Sequence, residues 1–145
     1  MQYIGSYHTE LAELSSQVSQ VEKENYFNLN EIAQKFSVDP YLTICNWLQQ
    51  PATLDLLVAW EQLHNQQFNL AAWEKIKSSV GSNSFALSPV AWVSLTQAQG
   101  LYLHSRDPKI VLAHPALAMD FTMWISPSYR LKTILEYMLQ RSKRS

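Results

Sequence analysis

Apolar residues in the first part of the chain recur at Leu11, Leu14, Val18 and Val21, with Glu, Ser and Gln between them. Spacings of three, four and three place them on one stripe of a helix over residues 8–21. Such a stripe serves either as a core-packing face or as a docking surface for a partner or a second copy. The polar run 22–25 breaks the pattern, and Tyr26-Phe27 fits a short strand. Asn28 followed by Glu31 has the spacing of a helix start, with the Asn side chain accepting an early amide. This predicts a helix over residues 29–36. Ser37-Val38-Asp39-Pro40 ends it and opens another over 40–49, with Asp39 as the cap and Pro40 in the first turn. The second helix buries some combination of Leu42, Ile44, Cys45, Trp47 and Leu48 and leaves Thr43, Asn46, Gln49 and Gln50 polar. Two helices, a four-residue turn and polar amides on one side have the form of a helix-turn-helix unit.

Pro51 opens a further helix to about residue 64, with Leu54, Leu57, Val58 and Leu63 apolar. Asn69 caps a short helix over 70–79 that carries Lys75 and Lys77 near its end. Residues 83–87 read as extended or loop, and Ser88-Pro89 repeats the cap-then-proline signal ahead of a helix over 89–97. Residues 101–104 and 110–113 are two β-prone runs separated by Ser105-Arg106-Asp107-Pro108-Lys109, a hairpin with a charged tip. His114-Pro115 opens a helix over 116–125. Ser126-Pro127 caps a last one to about 141, with Leu131, Ile134, Leu135, Met138 and Leu139 on its apolar side. The class is α+β: a helix-dominated single domain with a helix-turn-helix-like pair and a small β-hairpin. Residues 1–24 read as an N-terminal amphipathic helix, 25–141 as the domain and 142–145 as a basic tail.

Composition narrows the classes. With 47% hydrophobic and 12% aromatic residues, the 145-residue chain has enough apolar surface to offset the entropy of ordering. A single cysteine excludes a disulfide framework and any multi-Cys zinc site. No apolar run approaches the roughly 18 residues of a membrane span, and no signal peptide is apparent. A cytoplasmic protein without a membrane partner is therefore expected. Net charge is only −1, but it is unevenly spread. Glu10, Glu13, Glu22 and Glu24 against Lys23 make residues 1–24 acidic, at −3. Arg130, Lys132, Arg141, Lys143 and Arg144 against Glu136 make residues 129–145 basic, at +4. A local basic face is compatible with that distribution.

Candidate chemistry is sparse. No Ser/His/Asp spacing, paired-carboxylate signature or phosphate-binding loop is present, so neither an enzyme nor a small-molecule substrate is expected. His104, His114 and Asp120 lack a metal-ligand spacing, and no metal or other cofactor is expected. His114 reads as bonded to backbone at the strand-to-helix turn. Cys45 reads as a buried structural thiol, with no neighbouring base to activate it. Trp47, Trp92 and Trp124 read as core anchors beside apolar helix positions, leaving Tyr102 as the aromatic placed for stacking on a sheet face.

The run from Ala113 to Lys132, Ala-His-Pro-Ala-Leu-Ala-Met-Asp-Phe-Thr-Met-Trp-Ile-Ser-Pro-Ser-Tyr-Arg-Leu-Lys, resembles the C-terminal signature of KilA-N domains. That signature is a strand ending in Ala-His, a Leu-Ala-x-Asp-Phe helix with a following Trp, then Ile-Ser-Pro and a long helix. Asn28-Leu29-Asn30, Trp47-Leu48 and Pro89-Val90-Ala91-Trp92-Val93 are similar to further family motifs, so the resemblance spans about residues 26–141. It implies a non-enzymatic module that binds duplex DNA, a setting in transcription regulation and kinship with phage or other mobile elements. Bacterial members often carry a glycine-rich turn before the Ala-His, whereas residues 105–110 here contain none. Arg106 and Lys109 then become the tip's expected phosphate contacts, like a wing, and Asn46, Gln49 and Gln50 the expected base readers. Lys75 and Lys77 join this face if their helix end lies beside the hairpin. The alternative is a KilA-N fold used as an accessory or protein-interaction subunit, docking a protein partner or a second copy through the N-terminal stripe.

Overall fold

The computed structural model describes residues 23–80, 82 and 86–144. The expected helix over 8–21 and part of the 83–87 stretch lie outside these. A 3-10 turn over Lys23–Asn25 leads into strand β1 (Phe27–Asn28), then helices α1 (Leu29–Ala33), α2 (Pro40–Leu48), α3 (Pro51–His64), α4 (Leu70–Lys77) and α5 (Pro89–Thr96). Strands β2 (Leu101–Leu103) and β3 (Val111–Ala113) follow, and helices α6 (Pro115–Ile125) and α7 (Pro127–Arg144) complete the chain.

The capping side chains are where the polar pattern put them. Asn28, Asp39, Asn69 and Ser88 accept from the amides of Glu31, Leu42, Ala72 and Ala91 at 3.0–3.1 Å. Each satisfies an amide that has no partner within the helix. Proline occupies the first turn of α2, α3, α5 and α6, where no amide hydrogen is needed. The first helix stops at Ala33, shorter than its pattern predicted, because residues 34–36 wind into a tighter turn ahead of Ser37. The last runs on to Arg144, so residues 142–144 continue the helix rather than forming a tail.

The predicted β-hairpin forms, with Leu101 opposite Ala113 and Leu103 opposite Val111. β1 adds to the free side of β3, giving an antiparallel sheet in the order β1-β3-β2. Leu101, Val111 and Ala113 point inward onto a core that includes Leu29, Ile44, Leu57 and Leu117. Trp47 and Trp92 are fully buried, Trp47 meeting Phe121 edge to face at 5.2 Å. Trp124 is not a core anchor. It is 40% exposed, with its ring 6.2 Å from that of Phe121. The apolar side of α7 is not core either: Leu131, Ile134, Leu135, Met138 and Leu139 are all exposed. The half-buried positions of α7 are Tyr129 and Thr133, so the helix turns that edge toward α6, its packing partner.

Glu61 ties the first half of the domain to the sheet. Its fully buried carboxylate accepts from Asn65 Nδ2 at 2.8 Å, Gln99 N at 2.9 Å and Gly100 N at 2.7 Å. Asn65 Nδ2 also donates to the carbonyl of Gln97 at 2.9 Å, a residue held in the left-handed region at φ 56°. Burial pushes the Glu61 carboxyl above its ordinary value, and the bonds from Asn65, Gln99 and Gly100 hold that rise back. A Cβ on Gly100 would lie 2.6 Å from Leu117 Cδ1 and 2.9 Å from Glu61 Oε2. Gly100→Ala is therefore expected to destabilise by roughly 1–3 kcal/mol through overpacking. Glu61→Gln should cost roughly 1–3 kcal/mol because its amide nitrogen would face a backbone donor. Urea unfolding midpoints check both values, and the double variant should lose less than their sum because the two sites touch.

Candidate nucleic-acid interface

α1 and α2 pack on one another across the 34–39 turn. Ser37 Oγ accepts from Asp39 N at 3.1 Å and from Thr43 Oγ1 at 2.8 Å, so the turn is bonded to the start of α2. On the inner side of α2, the Trp47 indole donates to Asp120 Oδ2 at 3.1 Å, fixing the helix to α6. The exposed edge of α2 carries Leu42 and Asn46, with Gln50 just beyond its end. Asn46 shows no side-chain hydrogen bond within the described residues. Gln50 Nε2 donates to the carbonyl of Asn46 at 3.1 Å on the exposed surface.

The third expected base reader is engaged elsewhere. Gln49 Nε2 donates to the Leu87 carbonyl and Gln49 Oε1 accepts from Leu87 N at 3.0 Å. Its amide therefore fastens the segment before α5 to the end of α2 and faces the protein, which the helical spacing alone did not reveal.

The hairpin tip is held against the helix pair. Asn30, in the first turn of α1, donates through Nδ2 to the Lys109 carbonyl at 2.9 Å and accepts at Oδ1 from Val111 N at 2.9 Å. The Lys109 ammonium then sits 5.7 Å from the ring centroid of Tyr41 on α2, a cation–π distance. Within the tip, Asp107 Oδ1 accepts from Lys109 N at 3.1 Å and His104 Nδ1 from Arg106 N at 3.1 Å. The glycine-free turn is thus shaped by its own side chains. Arg106 and Lys109 share the tip. Lys75 and Lys77 sit in the last turn of α4, whose main packing partner is α5, and the bonds that gather the tip bring it to α1 and α2. Asn30 and Tyr41 were not among the predicted site residues: a bond spanning 79 or 81 positions leaves no periodic signal.

His104, His114 and Asp120 occupy three different settings: a tip turn, a helix cap and the Trp47 indole. The His114 ring lies 5.1 Å from Trp60, 5.7 Å from Tyr26 and 6.1 Å from His64. Its Nδ1 accepts from Ala116 N at 3.0 Å, the backbone bond its position predicted. Burial, then the neighbouring His64, lower its pKa below the ordinary 6.5. Burial likewise pushes the Cys45 thiol up, away from a reactive thiolate. Tyr102 is exposed on the outer sheet face, with the Lys23 ammonium 5.3 Å from its ring centroid.

A family model described as the KilA-N domain matches residues 13–139. The chain belongs to the KilA-N family. Neither the curated proteins nor the solved structures offer a significant match. KilA-N domains are generally DNA-binding, and the helix pair with its clamped hairpin lies wholly inside the matched range. No described helix is long and apolar enough to cross a membrane.

The KilA-N cap at His114 carries a pH signature. Its folded pKa is depressed, so its contribution to stability is present above about pH 6.5 and is lost as pH falls through the folded value. His114→Asn keeps a capping acceptor but removes the titration. Thermal melts between about pH 7.5 and 5.5 should show wild-type stability falling relative to that variant. An unchanged difference across the range would refute this assignment.

Proposed function

We propose that this KilA-N domain binds duplex DNA by laying the exposed edge of α2 along the major groove, with the hairpin tip resting on the adjoining backbone. The observation that supports this reading is the Asn30 clamp, which makes helix and tip one rigid unit, so that both can meet DNA without a separate ordering cost. Asn46 and Gln50 would offer amide donors and acceptors to base edges. Arg106 and Lys109 would take phosphates, positioning the helix without reading sequence. Gln49 would act as a positioning residue through Leu87, and Lys75 and Lys77 would lie outside the contact unit.

The formal charges on that unit cancel, with Lys35, Arg106 and Lys109 matched in number by Glu31, Asp39 and Asp107. Few counterions are therefore released, and affinity falls with salt on a shallow slope of roughly −0.9 per phosphate neutralised. Fluorescence anisotropy with duplex DNA across a salt series tests the proposal. Arg106→Ala with Lys109→Ala should weaken binding to every sequence and lower the slope by about two, one for each phosphate left without its cation. Asn46→Ala should instead erode discrimination between sequences by about 1–3 kcal/mol. Lys75→Ala with Lys77→Ala should change neither. Absence of binding at micromolar protein in low salt would overturn the proposal.

A further inference from the structure

The apolar side of α7 is an exposed feature that the proposed function does not use. Leu131, Ile134, Leu135, Met138 and Leu139 are between 45% and 59% exposed, and helical spacing gathers them on one face. A contiguous apolar face of this kind on a soluble domain marks a surface that is covered in use. Its borders are basic. Helical periodicity puts Arg130 and Arg141 along one edge of the stripe and Lys132 and Lys143 along the other. Glu136 lies outside the stripe and faces Lys132 at 3.8 Å.

These borders select the occupant. A second α7 would bring arginines and lysines against the same edges whether it lay parallel or antiparallel, so self-pairing sets like charges together. The matching surface is an amphipathic helix with acidic borders. Residues 8–21 fit it. Leu11, Leu14, Val18 and Val21 form the stripe, Glu10 and Glu22 fall on its two edges, and the −3 of residues 1–24 opposes the +4 of residues 129–145. From Leu11 to Val21 a helix rises about 15 Å, enough to cover the roughly 12 Å from Leu131 to Leu139. The KilA-N match begins at residue 13 and ends at residue 139, inside both elements, so the two belong to one domain. We propose that residues 8–21 of the same chain dock as a helix on the exposed apolar face of α7, acidic edges against basic ones.

Hydrogen–deuterium exchange on the full chain tests this. In the wild type, α7 amides over residues 131–139 should be protected at all protein concentrations. Leu14→Glu with Val18→Glu should speed their exchange by about tenfold or more while leaving the α3 core amides unchanged. Leu135→Glu should do the same, reciprocally, to residues 8–21. Glu10→Lys with Glu22→Lys keeps the apolar stripe and should also raise α7 exchange, to a smaller degree, guarding against general unfolding in the first variant. Exchange of α7 indifferent to all N-terminal variants would overturn the proposal. So would α7 protection that appears only as the chain dimerises in sedimentation, since a second copy would then be the occupant.

Discussion

A carboxylate with no surface in water holds this domain together. Burying Glu61 is costly, and the cost is offset because its two oxygens accept three N–H groups, two of them backbone amides of the segment entering β2. Asn65 extends the grip to the Gln97 carbonyl, at the one described non-glycine residue with positive φ. The left-handed turn at Gln97, the absence of a side chain at Gly100 and the start of β2 at Leu101 are thus consequences of one buried charge. His114 N donates to the Gly100 carbonyl at 2.9 Å, so the entry to α6 is referred to the same point. Remove this anchor and the sheet loses its fixed relation to α3.

A second constraint, smaller but closer to function, acts at the other end of the hairpin. Asn30 takes the place of a backbone partner for Lys109 and Val111, joining the tip to the first turn of α1. A hairpin anchored only at its base would leave Arg106 and Lys109 to sample many positions. Anchored at both ends, it presents them in a fixed relation to α2. The missing glycine turn fits this picture. Glycine lets a backbone approach a phosphate closely. Here Asp107 and His104 occupy amides of the tip itself, so in the proposed DNA-binding mode the phosphate contacts fall to the side chains of Arg106 and Lys109.

The sequence made local features legible because their signals are local. Asn28, Asp39, Asn69 and Ser88 each cap within three residues, and cap followed by proline marked the helix starts at 40, 89 and 127. The hairpin was readable from two short β-prone runs, its register only from the structure. Bonds that cross the chain left no such trace. Nothing in the spacing of Gln49 separates a base reader from a clamp on Leu87, and nothing near Asn30 points to Lys109. The core reading overreached at Trp124, and at α7 periodicity marked an apolar side without saying what covers it. The fold class was readable from periodicity and caps. The candidate interface was only half readable, because it depends on what the hairpin touches.

The net charge of −1 takes its meaning from where charges are sequestered. Five of the eleven basic residues lie on α7, and four of them, Arg130, Lys132, Arg141 and Lys143, border its apolar stripe rather than belong to the helix pair. If an acidic helix covers that stripe, most of the positive surplus of residues 129–145 is neutralised inside the domain. The surface proposed to meet DNA, around α2 and the tip, is then close to neutral. Counterion release scales with the phosphates neutralised, so long-range attraction can supply little of the affinity. What remains is fit: a preorganised helix edge, two amides and a rigid two-cation tip. Specificity in such a domain has to come from hydrogen bonds and groove shape, which is why the geometry fixed by Glu61 and Asn30 matters more here than the count of lysines and arginines.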